Sequence, residues 1–194
     1  MGFCVTFLMM SNLTDDLTNA LSSLVSGAGD VAGTVQGVSK NNVVKLLQGV
    51  GDVATAGLQT IDQVTNEGLE TISSTGVSLT DGTVGLVRGV VEGAKETGVS
   101  VTEAAGEAAS QAIKTASKVG GDVGEVAISS VEGAIQAAGA VGADSGELAR
   151  SAVLGTLKAA DEIGSEAAGI VRKALLNAAA LPHDIIDSLL TGKT

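Results

Sequence analysis

Between Val84 and Leu181, apolar residues return at helical spacing almost without interruption. Steps of about 3.6 residues backward from Ile113 meet Ala109, Ala105, Val101, Val91, Val87 and Val84. Forward steps meet Val123, Ala127, Val131, Ala134, Ala138 and Val141, then Ala149, Val153, Ala160, Ile163, Ala167 and Val171. That period marks an amphipathic helix, or a train of helices in phase. Glu147, Arg150, Lys158, Asp161, Glu162 and Arg172 fall in the opposite, polar sector. The pattern predicts an all-α protein of long Ala/Gly/Val-rich helices, either extended on a surface or folded back as a loose antiparallel bundle. The Ala/Val stripe is its candidate apolar-surface face.

Outside that region the pattern is weaker. Residues 1–10 form an apolar tail, about half the ~20 residues a membrane span needs and without the basic start of a signal peptide. Gly2 and Cys4 match loose lipidation patterns, and Met10 is an alternative start. Residues 11–40 predict a short helix, capped by Ser11 or Thr14 with Asp15 and Asp16 in its first turn, followed by a Gly-rich segment. Lys40-Asn41-Asn42 predicts a break. Residues 41–82 form a Thr/Gly-rich amphipathic segment that closes on a turn at Thr80-Asp81-Gly82. The Ala-rich repeat region, 83–181, stops at Pro182. A short C-terminal helix, capped by Asp184, and a tail occupy 182–194.

Two features suggest that the helices meet one another. Gly29, Gly33 and Gly37 are spaced four apart, as are Gly85, Gly89 and Gly93. Glycine at that spacing opens a groove in which a second backbone can lie close. These six are the candidate helix-packing positions. Val91-Glu92-Gly93-Ala94 also recurs forty residues later as Val131-Glu132-Gly133-Ala134. Forty residues is about eleven turns, so both copies present the same face. A period of eleven is hinted at by Gly29-Asp30-Val31 and Gly51-Asp52-Val53. Asp144-Ser145-Gly146-Glu147 is a capping-box-like helix start. Gly82, Gly120 and Asp144 are the candidate fold-back points.

Composition narrows the chemistry. With two Phe, no Trp and no Tyr, a core has to be built from Ala, Val, Leu and Ile at short helix separations. A net charge of −11 argues against nucleic acid and against strongly anionic lipid. A neutral lipid or polymer surface, or further copies of the chain, remain acceptable partners. Cys4 and His183 are the only residues of their kinds, which excludes an intrachain disulfide and the usual zinc sets. There is no phosphate-binding loop and no nucleophile–base pair. The expectation is a non-enzymatic protein with no cofactor and no metal, cytoplasmic and peripheral to an inclusion or membrane surface.

Residues Val90 to Val99 (VVEGAKETGV) and Lys114 to Gly121 (KTASKVGG) resemble the eleven-residue repeats of synucleins and perilipins, and also those of group 3 late-embryogenesis-abundant proteins. The resemblance covers roughly residues 43–175 in style. It implies long amphipathic helices on vesicles or lipid droplets, although those families are richer in lysine at the water-line. Three functions therefore stand as expectations. The first is a coat on a weakly charged hydrophobic surface, such as a lipid droplet or polyester-type inclusion. The second is a self-associating bundle, oligomer or filament packed through Gly/Ala ridges. The third is a stress, dehydration or ice-protective protein.

Overall fold

A recurring connector cuts most of the apolar stripe into helices of equal length. The structure, a computed structural model, describes residues 14–22, 30–48, 53–179 and 181–191. Residues 14–22 are helical (α1). They are followed by α2 (Val31–Leu47), α3 (Val53–Thr75), α4 (Leu79–Thr97), α5 (Val101–Val119), α6 (Val123–Val141), α7 (Ser145–Ile163), α8 (Ser165–Asn177) and α9 (His183–Thr191). No strand occurs among the described residues, so the fold is all-α and its helices are folded back on one another.

Helices α4 to α7 are each 19 residues long and begin every 22 residues. Gly76, Gly98, Gly120 and Gly142 end the preceding helices at φ of 73°, 81°, 74° and 69°. That left-handed conformation carries a steric cost for any residue with a Cβ. After Gly98, Gly120 and Gly142 the chain is held by bonds from Val99 N–H to the Ala94 carbonyl (2.9 Å), Gly121 N–H to Ala116 (2.8 Å) and Ala143 N–H to Ala138 (3.0 Å). Two residues past each glycine stands a cap. Ser78, Ser100, Asp122 and Asp144 accept the backbone N–H of Asp81, Glu103, Glu125 and Glu147 at 3.2, 3.3, 3.1 and 2.8 Å. The connector is therefore Gly-x-(Ser/Asp)-x-x-(Asp/Glu), four times over. Its final acid also lies in the first turn, where the helix dipole favours it.

The stripe from Val84 to Leu181 is a train of helices, one of the two alternatives its period allowed. Other expectations are corrected. Gly82 lies inside α4, because Ser78 caps four residues earlier and its carbonyl accepts the Gly82 N–H at 2.9 Å. Lys40-Asn41-Asn42 is not a break: α2 runs through it, with Asn42 buried and its side chain donating to the Val38 carbonyl at 2.9 Å. α8 ends at Asn177, before Pro182, and Asp184 sits in the first turn of α9 rather than capping it. The true unit is 22 residues, so helices two apart are separated by 44, one turn more than the forty-residue match. That match found a shared face but not the connector. The fold-backs at Gly120 and Asp144 are present.

Three-residue connectors turn successive helices back against each other. The most extensive packing is between helices two apart, giving one row of α2, α4, α6 and α8 beside another of α3, α5, α7 and α9. Within a row the helices run parallel, and a residue inserts between two residues one turn apart on the next helix. Asn66 of α3 meets Gln111 and Thr115 of α5 (45 and 49 positions on), and Thr102 of α5 meets Glu147 and Ser151 of α7 at the same two offsets. That is ridge-into-groove packing repeated along the row. Between the rows lies a core dominated by alanine and valine, with larger fillers at Ile61, Leu69, Ile72, Leu86, Ile113, Leu148 and Leu175.

Candidate functional site

Several glycines face back along a row onto the preceding helix. A Cβ on Gly85 would overlap the Ala32 carbonyl of α2, and one on Gly89 would overlap that of Gln36. On Gly93 it would stand 2.8 Å from Val43 Cβ and 3.1 Å from the Lys40 carbonyl oxygen. Further along the same row, Gly133 of α6 brings its Cα against the Val84 carbonyl of α4, where a Cβ would stand at 2.7 Å. In the other row Gly155 of α7 seats on the Gly106 backbone of α5. Among the described residues, Gly33 and Gly37 are not brought to another helix. A Cβ on Gly33 would meet only Asp30 of its own helix start, and nothing described lies within 4 Å of one on Gly37. Gly29 lies outside the described residues.

The Ala/Val stripe faces inward. Val84, Val87, Val91, Ala105, Ala109, Ile113, Ala127, Val131, Ala134, Ala138, Ala149, Val153, Ala160 and Val171 are buried. Val101, Val123, Val141 and Ala167 are half-buried. Ile163 is 40% exposed, near the end of the stack.

Polar side chains clip the rows together at their flanks. Glu92, only 9% exposed, accepts from Gln36 at 2.8 and 2.9 Å and from Arg88 at 3.0 Å. These bonds compensate its burial. Lys40 pairs with Glu96 at 2.7 Å, and that bond raises the lysine pKa. Ser151 donates to the Thr102 carbonyl at 2.7 Å, and Thr115 to Asn66 Oδ1 at 2.8 Å. Lys114 of α5 pairs with Glu162 of α7 at 2.8 Å; the bond raises the lysine pKa and lowers that of the carboxyl.

One contact is not compensated in the same way. Asp62 of α3 faces Glu107 of α5, and Asp62 Oδ1 is buried with no donor to it among the described residues. Burial pushes the Asp62 carboxyl up to about 7; the side-chain bond to Glu107 and that group's charge add to the rise, and Lys114 opposes it. A proton shared between the two carboxyls would supply a donor to that oxygen.

No cluster of three or more His, Cys, Asp or Glu suited to a metal occurs among the described residues, and His183 is exposed at the start of α9. A shallow groove of about 360 Å³ runs between α6 and α8, lined by Gly124, Ile128, Ile170 and Ala174, with Asp122, Glu125, Lys173 and Asn177 at its sides. No described helix is long and apolar enough to cross a membrane.

The Asp62–Glu107 contact, the Gly106–Gly155 approach and the Glu92 clip went unforeseen. The available signal was the 22-residue spacing of Gly98, Gly120 and Gly142 with their caps, which also fixes which helices become row neighbours. The class defined by this architecture is a helical-repeat protein, in which each unit buries its apolar face only against its neighbours. No protein-family model matches the chain, and no curated protein is similar to it.

Proposed function

We propose that the protein is a non-catalytic structural element, a preformed stack of helices that acts as a building block. The observation that supports this most is the inward-facing stripe. The apolar residues that would coat a droplet are mostly buried already between the rows, and Gly85, Gly89, Gly133 and Gly155 lie on neighbouring backbones. A lipid surface gains nothing from such backbone grooves, whereas helix-on-helix packing requires them.

A coat on a neutral lipid droplet or polyester-type inclusion is the second reading. It is favoured by the lack of aromatic side chains in the core among the described residues, since thin Ala/Val contacts are the easiest to exchange for an outside apolar surface. Circular dichroism separates the two. The building-block reading expects full helicity and a cooperative melt in buffer, unchanged by a neutral-lipid emulsion. Helix that forms only with the emulsion would overturn it in favour of the coat.

A further inference from the structure

Helix α8 leaves one face open to solvent. Glu166, Gly169, Ile170 and Lys173 stand at positions i, i+3, i+4 and i+7, so they share a side of the helix, and all four are exposed. Ile170 and Lys173 also form one wall of the open groove beside α6. Leu176 continues the face toward the end of α8. Ile163, just before α8, lines the same hollow as Glu166 and Ile170. Isolated exposed apolar residues are ordinary. Three large ones along a single 13-residue helix, each at least 40% exposed, make a patch.

The charges on this face select its partner. Arg172 is already held by Asp161, and Glu162 by Lys114, both at 2.8 Å. Glu166 and Lys173 enter no ion pair among the described residues. Asp122 and Glu125 line the groove with Lys173, but Asp122 is occupied in capping α6. Glu166 lies three residues before Gly169, and Lys173 three after Ile170, so the sign of charge reverses about the Gly169–Ile170 midpoint. A second α8 laid antiparallel across that point brings each Glu166 to Lys173 of the other copy. It also brings each Ile170 to the other copy's Gly169, beside which nothing described lies within 4 Å of a would-be Cβ. A parallel pair would set Glu166 on Glu166 and Lys173 on Lys173, which like-charge repulsion opposes. A lipid surface has no complement to a fixed acid and base.

We infer that the Glu166–Lys173 face of α8 is a docking surface for the same face of a second copy of this chain, the two helices crossing antiparallel on a two-fold axis at Gly169–Ile170. This pairing rests on the building-block reading above and names its partner. An isologous contact closes on itself, so the product is a dimer rather than a filament. One helix of 13 residues, about 20 Å long, makes a small contact, at the weak end of protein interfaces.

Sedimentation of the full chain reads association, and circular dichroism reads fold. The wild type is expected to pass from monomer to dimer as its concentration rises through the micromolar range, and to grow no further. Lys173→Glu sets acid against acid at two places, and Glu166→Lys sets base against base, so each alone should weaken the dimer about tenfold or more while staying helical. Glu166→Lys also gives up helix-dipole support in the first turn of α8, which Lys173→Glu does not. The double variant Glu166→Lys/Lys173→Glu should restore the dimer with signs exchanged. An equimolar mixture of the two single variants should form the mixed dimer in preference to either alone. Leu154→Glu, on the exposed side of α7, should leave the dimer unchanged. A helical wild type that stays monomeric overturns the inference and leaves the building-block reading standing, whether or not α8 then takes up a neutral-lipid emulsion. Growth beyond the dimer, no recovery in the double variant, or an equal loss from Leu154→Glu also overturns it, by placing the contact elsewhere. Loss of helix in buffer would instead strike the building-block reading itself.

Discussion

Replacing Gly133 by alanine sets two effects of known sign against each other. In an exposed helix the change stabilises by about 0.8–1 kcal/mol, because glycine gives up more backbone freedom on folding. Here the added methyl would lie 2.7 Å from the Val84 carbonyl oxygen and 3.2 Å from Val87 Cβ. A relaxed carbon–oxygen contact is about 3.3 Å or more, so α4 and α6 must part by about half an ångström. The obstructing oxygen is held within a helix and cannot swing aside. Overpacking of this kind costs about 1–3 kcal/mol, so the net expectation is a loss of up to about 2 kcal/mol after the propensity gain is deducted. For a chain of this size that lowers Tm by up to about 8 °C. Gly139 lies in the same helix, exposed, with nothing described within 4 Å of its would-be Cβ. Gly139→Ala should therefore raise Tm by about 2–4 °C. Thermal and urea unfolding followed by far-UV circular dichroism measures both. If Gly133→Ala stabilises as much as Gly139→Ala, the close approach within the rows is refuted.

Three further substitutions probe other contacts. Asp62 has a folded-state pKa of about 7 against an ordinary value of 3.8, so its contribution is fully present below pH 3.8 and lost as pH rises through 7. Asp62→Asn should flatten that decline, gaining in urea midpoint relative to wild type between pH 5 and pH 8; an unchanged pH profile would show that the carboxyl pair is not the cause. Gly120→Ala places a methyl on a residue at φ 74° and should cost about 1–2 kcal/mol, read from the same melts and absent for a Gly120→Asn variant if conformation alone is responsible. Ser100→Ala removes the cap on α5 and should cost about 1 kcal/mol, with Ser100→Asp retaining wild-type stability.

The helical class and the buried face were legible because Val and Ala keep strict phase from Val84 onward. Burial of Val87, Ala109 and Val131 follows directly from that phase. The divisions between helices were harder to read. Each connector is spelled with interchangeable residues, Ser or Asp as cap and Val, Gly or Ala before it, in a chain already rich in all of them. Thr80-Asp81-Gly82 has the composition of a turn, yet Ser78 caps first and draws those residues into α4. Lys40-Asn41-Asn42 has weak helix propensity, but packing of Val43 and Lys40 against Gly93 overrides it. Contacts such as Asp62 with Glu107 depend on which helices become row neighbours, which periodicity along a single helix does not specify.

The interchangeable connectors have an evolutionary consequence. Gly98-Val99-Ser100 and Gly142-Ala143-Asp144 perform the same turn 44 residues apart. Excising residues 100–143 would splice equivalent junctions and return each surviving helix to its own side, whereas excising half as much would send every downstream helix to the opposite side. Length in this architecture is thus quantised in helix pairs, and a gene encoding it can grow or shrink by duplication and loss of whole pairs while every helix keeps its side of the stack.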